Sequence, residues 1–181
     1  LEMTRHLLSH PDIDVNDKSY AKTEKKLKEI APLHAAVLTN NSNILRLLTS
    51  HPKIDINSRY ILNCVYGIII NNNNKFHHGF KFTKLKFING CEKQEHGTAL
   101  HLAISNQHNC YDIVRCLLSN KNIDINEEMH QITSTEKVSG ITILHLAILE
   151  RNEEIIRLLL SNSKINVNKK INKTENIIEK T

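Results

Sequence analysis

The feature that most constrains this chain is a unit that occurs more than once. Gly97-Thr98-Ala99-Leu100-His101-Leu102-Ala103 leads to Ile113-Val114-Arg115-Cys116-Leu117-Leu118 and closes on Ile123-Asp124-Ile125-Asn126. The closing segment has three further copies, Ile13-Asp14-Val15-Asn16, Ile54-Asp55-Ile56-Asn57 and Ile165-Asn166-Val167-Asn168. The opening has two, Pro32-Leu33-His34-Ala35-Ala36 and Thr142-Ile143-Leu144-His145-Leu146-Ala147. A unit of a few tens of residues that repeats in order cannot bury its apolar face alone, so its copies must stack into a quasi-one-dimensional array.

Within each copy the apolar residues recur at helical spacing. Arg5, Arg46, Arg115 and Arg157 each stand 11 residues before a closing asparagine, with leucines after them and Met3, Ile44, Ile113 or Ile155 two residues before. This pattern predicts one buried stripe per helix, with the arginine beside it and its stem laid along apolar surface. Upstream, Pro32 suits a first helical position, where its missing N–H would be unpaired anyway, and Thr98 and Thr142 can cap through the side-chain oxygen. Pro11 ends the first helix. Ala36, Ala103 and Ala147 keep the leading helix thin enough for its partner to approach. Trp is absent and aromatic residues make up 4% of the chain, so the core must be tiled from Leu, Ile, Val and Ala.

These openings resemble the T-P-L-H-x-A signature of the ankyrin repeat, and the I-V-x-x-L-L and I-D-I-N segments resemble that family's second helix and exit. The resemblance covers residues 1–57 and 97–168. It implies an all-α repeat solenoid: stacked helix-turn-helix repeats with elongated β-hairpin-like finger loops. It further implies a non-catalytic protein–protein interaction scaffold that holds a partner with its fingers and concave helix face, without cofactor. The residues that carry the motif are Pro32, Leu33, His34, Ala36, Thr98, Leu100, His101, Ala103, Thr142, Leu144, His145 and Ala147. By the same resemblance His34, His101 and His145 bond locally and to the adjoining repeat's backbone. Stacking sets such copies side by side, whereas tetrahedral zinc needs about four convergent ligands. Ala31 stands where Thr98 and Thr142 stand in the other copies, so His34 should be less well anchored.

The spacing departs from the family's period of about 33 residues. The closing asparagines are separated by 41, 69 and 42 residues, yet His34 to Asn57 and His145 to Asn168 both span 23. His101 to Asn126 spans 25, an insertion of two near Gln107 to Cys110. The growth therefore lies between helix pairs, in fingers at Lys18–Ile30 and Glu127–Ile141, and insertions of one loop type map to one face of a stack. Lys18, Lys22, Lys25, Lys26, Lys28, Gln131, Glu136 and Lys137 are accordingly the expected partner-binding residues. The expected division is a partial first repeat at 1–16, a long-fingered repeat at 17–57, a repeat at 97–126, a long-fingered repeat at 127–168, and a tail or the start of a further repeat at 169–181. For 58–96 three readings stay open: a long insertion with a hairpin around Ile68–Phe87, a degenerate repeat, or translated non-coding sequence.

The net charge of +5 at pH 7 permits an acidic partner without demanding one. Most of it sits in 58–96, where Lys75, Lys81, Lys84 and Lys86 interleave with Phe76, Phe80, Phe82 and Phe87. Segment 75–87 therefore offers a secondary, nucleic-acid reading, through phosphate contacts and base stacking. A solvated strand with one apolar face is the plainer reading, and nucleic acid is not the expected partner. Cys64, Cys91, Cys110 and Cys116 form no C-x-x-C pair, which leaves reduced thiols in an intracellular, cytoplasmic protein as the expectation. No apolar run is long enough to span a membrane, and no small-molecule substrate or metal is expected. No G-x-S-x-G, Walker-type loop, H-E-x-x-H or kinase signature occurs. Because the chain starts on Leu1 inside a repeat, it reads as part of something longer, and the alternative function is that of a targeting module for a larger multidomain enzyme.

Overall fold

The computed structural model describes residues 1–23, 26–65, 92–105, 110–133 and 136–175. Seven helices of two turns each carry the stack: α1 (Glu2–Leu8), α2 (Pro32–Leu38), α3 (Ser42–Thr49), α4 (Ala99–Ser105), α5 (Tyr111–Leu118), α6 (Ile143–Leu149) and α7 (Glu153–Leu160). Helices this short do not persist alone in water. They hold by pairing, α2 on α3, α4 on α5 and α6 on α7, and by stacking in two columns, α2 on α4 on α6 and α3 on α5 on α7. Leu33, Leu45, Leu100, Leu102, Leu117, Leu146 and Leu159 fill the space between them and are buried.

The helix ends follow from local chemistry. Thr142 precedes α6 and accepts the His145 N–H at 3.4 Å, while His145 Nδ1 accepts the Thr142 N–H at 3.1 Å. Ala31 has no side-chain oxygen, so α2 keeps only the return bond, from the Ala31 N–H to His34 Nδ1 at 3.0 Å. Asn41 and Asn152 cap α3 and α7, each accepting an N–H three residues on at 3.1 Å.

Between the helix pairs run seven strands: β1 (Ser19–Thr23), β2 (Lys26–Ile30), β3 (Arg59–Val65), β4 (Glu92–Thr98), β5 (Glu128–Thr133), β6 (Glu136–Thr142) and β7 (Asn172–Glu175). They form one antiparallel sheet in chain order. The all-α expectation is corrected here: the fingers are not separate hairpins beside a helical stack but arms of a continuous sheet. The reason is dimensional. Packed helices lie about 8–10 Å apart and neighbouring strands about 4.8 Å apart, so one two-stranded finger per repeat brings each hairpin within bonding distance of the next. β3 and β4 pair from Arg59↔Thr98 to Val65↔Glu92. The hairpin expected at Ile68–Phe87, all but Cys110 of the insertion expected near Gln107 to Cys110, and the end of the tail lie outside the described residues.

Gly140 shows why the β5–β6 arm has the shape it does. Met129 pairs with Ile141 and Gln131 with Val138, so Ser139 and Gly140 together oppose His130, a bulge that bends the ribbon. Gly140 has φ +80°, and a Cβ there would run into the Lys170 carbonyl oxygen. Gly140→Ala is therefore expected to cost about 1–3 kcal/mol, read as a lower urea midpoint. An unchanged midpoint would mean the bulge is not formed.

The first helix departs from its expected stripe. Met3 is 78% exposed and no residue of α1 is buried. α1 packs on α3 and sets Leu8 against the core, while Met3 and Leu7 stay exposed.

Candidate functional site

Three of the four closing asparagines, Asn16, Asn57 and Asn126, staple one repeat to the next. Asn16 Nδ2 donates to the Lys53 carbonyl at 2.8 Å while its Oδ1 accepts the Asp55 N–H at 2.8 Å. Asn57 makes the same pair with Asn122 and Asp124 at 2.9 and 2.8 Å, and Asn126 with Lys164 and Asn166 at 2.8 and 2.7 Å. Asp14, Asp55, Asp124 and Asn166 each accept the N–H two residues on, holding the turn that aims the asparagine. The sequence signalled that these positions recur, but not what they bond. An amide has one donor end and one acceptor end, which is what a neighbouring backbone C=O and N–H require.

The histidines form a second ladder. His34 Nε2 bonds the Ser58 carbonyl at 2.9 Å and His101 Nε2 the Ile141 carbonyl at 3.2 Å. Nδ1 accepts a backbone N–H in all three copies, and the Thr98 and Thr142 hydroxyls lie 2.9 and 3.0 Å from it. The carbonyl requires a proton on Nε2, so the neutral tautomer is fixed. Burial lowers His34 to a pKa of about 4 and His101 to about 3, outweighing the carbonyl bonds that oppose the shift. His34 lacks only the hydroxyl contact; it keeps both ring bonds and meets Tyr60 edge-on at 5.8 Å. Leu33, Ala36, Leu100, Ala103, Thr98, Thr142, Leu144 and Ala147 are buried, Pro32 is exposed at the head of α2, and His145 is half-buried. Ankyrin-type positions thus bind the stack to itself, and the sheet presents a separate surface.

On the sheet, the register Glu29↔Ile61, Ile61↔His96 and His96↔His130 lays these four side chains in one row across β2, β3, β4 and β5. Alternation along each strand puts Arg59, Glu128 and Ile132 on the same face. Arg59 ties three strands: its Nη1 meets Glu127 at 2.8 Å, and its Nη2 donates to the carbonyls of Glu128 at 2.7 Å and His96 at 3.4 Å. Lys169 Nζ meets Glu128 at 2.6 Å and holds its carboxyl below the usual range. His96 and His130 are half-buried, and burial followed by the Arg59 charge lowers both. The opposite face carries the core, with Tyr60, Leu62, Met129 and Ile141 buried.

The residues expected to bind a partner divide. Lys137 is exposed on β6. Lys18 is half-buried and paired with Glu29 at 3.1 Å. Lys22 lies on β1, Lys26 and Lys28 on β2, and Glu136 on β6; Lys25 lies outside the described residues. Gln131 needs correction: it is 3% exposed, and its amide bonds Glu95 at 3.3 Å. Side-chain alternation turns it to the covered face, one position after His130 on the open one. Ile61, His96 and His130 were missed because nothing local marks them; only cross-strand pairing gathers them.

Among the described residues no group of three His, Cys, Asp or Glu is placed to hold a metal ion, and Cys110 and Cys116 are free thiols. No described helix is long and apolar enough to cross a membrane. No curated protein and no solved structure matches the chain. The family model for ankyrin repeats in three copies matches residues 1–129 and 68–171. With the leucine core, the histidine and asparagine ladders and the stacked helix pairs, this match means that the chain belongs to the ankyrin-repeat family.

Proposed function

We propose that this chain is a non-catalytic scaffold that binds a protein partner across the open face of its finger sheet and the adjoining helix surface. Ankyrin repeats generally mediate protein–protein interaction; the reading for this chain rests on the row Glu29, Ile61, His96 and His130, which crosses four strands outside the buried core. A face of mixed apolar, imidazole and charged groups, its strands tied together by Arg59, is the kind of surface on which a few central residues carry most binding energy.

The same reading treats 58–96 as a third and longest finger, with β3 and β4 as its arms. Its support is that α2 packs on α4 and α3 on α5, and that Asn57 reaches Asn122 and Asp124 as Asn16 reaches Lys53 and Asp55. The nucleic-acid reading of 75–87 falls outside the described residues.

The test is affinity capture with the intact chain and with the pair Ile61→Ser and Lys137→Glu. Loss of the captured partner with an unchanged melting temperature is the expected outcome. Shortening Lys18–Glu29, an edge hairpin, should act likewise. Shortening Gln131–Ser139 would instead damage the stack, because β5 and β6 lie inside the sheet. Full capture by both altered proteins would refute the sheet as the binding face.

A further inference from the structure

Away from the sheet, α3 and α5 border an open groove of about 940 Å³ whose lining includes the cations Arg46, Arg115 and Lys121, His51, Cys116 and one carboxylate, Asp112. Thr49 and Cys116 join its two walls at 3.8 Å. Arg46, Arg115 and Lys121 are exposed and make no ion pair among the described residues. His51 Nδ1 accepts the Lys53 N–H at 3.2 Å, which leaves Nε2 as a further donor.

This charge belongs to one junction rather than to the scaffold. At the places where α7 carries Glu153 and Glu154, α3 carries Ser42 and Asn43. Arg157 accordingly has the Glu153 carboxylate 3.9 Å away, while Arg46 has no carboxylate on its own helix and Arg115 has only Asp112, with which it makes no ion pair. The Ser50 and Ser119 hydroxyls bond the carbonyls of Leu47 and Cys116 at 2.9 and 2.7 Å, so the helix ends do not present all their acceptors to the groove.

From this we infer a second binding site: the α3–α5 groove receives an extended acidic segment of a partner protein, with Arg46 and Arg115 each taking a carboxylate. Guanidinium groups favour that pairing because their donors match both carboxylate oxygens. The two arginines occupy equivalent places on adjacent repeats, about 10 Å apart by helix packing. On an extended segment in the polyproline II conformation, with three residues per turn, carboxylates three residues apart lie on one side and about 9 Å apart. One phosphate does not match that separation.

The probe is fluorescein-labelled decaglutamate, followed by anisotropy at low salt, with decalysine as the opposite-charge control. Decaglutamate should bind and decalysine should not. Arg46→Glu with Arg115→Glu should weaken binding about tenfold or more, while Arg157→Glu on the next helix changes it by about twofold at most through the long-range field. Sodium phosphate should displace the peptide no better than sodium chloride of equal ionic strength, and shortening Lys18–Glu29 should leave binding intact, which separates this site from the sheet face. The altered side chains are exposed, so melting temperatures should match that of the unaltered chain. Absence of decaglutamate binding, equal loss with Arg157→Glu, or specific displacement by phosphate would each overturn the assignment.

Discussion

Lowering the pH from 7 to 5 is expected to remove about 4 kcal/mol of folding stability, about 2 from each of His34 and His101, since each group bound one proton more in the unfolded chain changes stability by about 1.4 kcal/mol per pH unit. Unfolded, both rings titrate near 6.5; folded, His34 titrates at about 4 and His101 at about 3. The stabilisation is therefore complete above 6.5 and falls as the pH drops below it, because the unfolded state takes up protons that the folded state refuses. The refusal is structural. Nδ1 of each ring already accepts a backbone N–H, at 3.0 Å in His34 and 3.2 Å in His101, and a proton there would set donor against donor in a buried site. His96 and His130, also lowered, push in the same direction. Urea melts at pH 7, 6 and 5 measure the effect. His101→Gln keeps an amide donor for the Ile141 carbonyl but has no proton to gain, so it should remove about half of the pH-dependent loss. An unaltered pH slope in that variant would show that His101 is not held neutral.

Leu100→Ala is expected to cost about 2–5 kcal/mol, a large part of the 5–15 kcal/mol typical of a folded domain. Leu100 is fully buried in α4, which packs on α2, α5 and α6 together. With helices on three sides held by their own ladders, the cavity has little room to collapse, and the cost should fall high in that range. Leu144 occupies the equivalent place in α6 and is 8% exposed, so Leu144→Ala should cost less. Urea midpoints for the two variants give the comparison. A midpoint for Leu100→Ala equal to that of the unaltered chain would mean that the helix register is wrong.

Most of the helical stack was readable from the chain because its signals are local. The L-H-x-A openings place α2, α4 and α6, the apolar spacing places α3, α5 and α7, and the closing asparagines mark each exit. What these residues do to one another was less readable. Asn57 bonds residues 65 and 67 positions away, and no spacing rule reaches so far. The sheet was missed as a continuous structure for the same reason: each finger shows its own hairpin pattern, while the pairing of β2 with β3 or β4 with β5 depends on the repeat spacing. Gln131 illustrates the cost, since its place in a long polar finger suggested an exposed side chain and its register buries it. Conversely, Ile61 and His130 carry no motif and become neighbours of His96 only across strands.

Repeats 17–57 and 97–126 are direct neighbours despite the long connection between them, because α2 packs on α4 and α3 on α5. Arg46, Arg115 and Arg157 are exposed and equivalent, so spin labels at these positions, in a chain whose native cysteines are replaced, report repeat spacing directly. The 46–115 separation should equal the 115–157 separation, one packed-helix spacing of about 10 Å apart from the label arms. A 46–115 separation about twice the other would place a further repeat between them, so that 17–57 and 97–126 would not be neighbours.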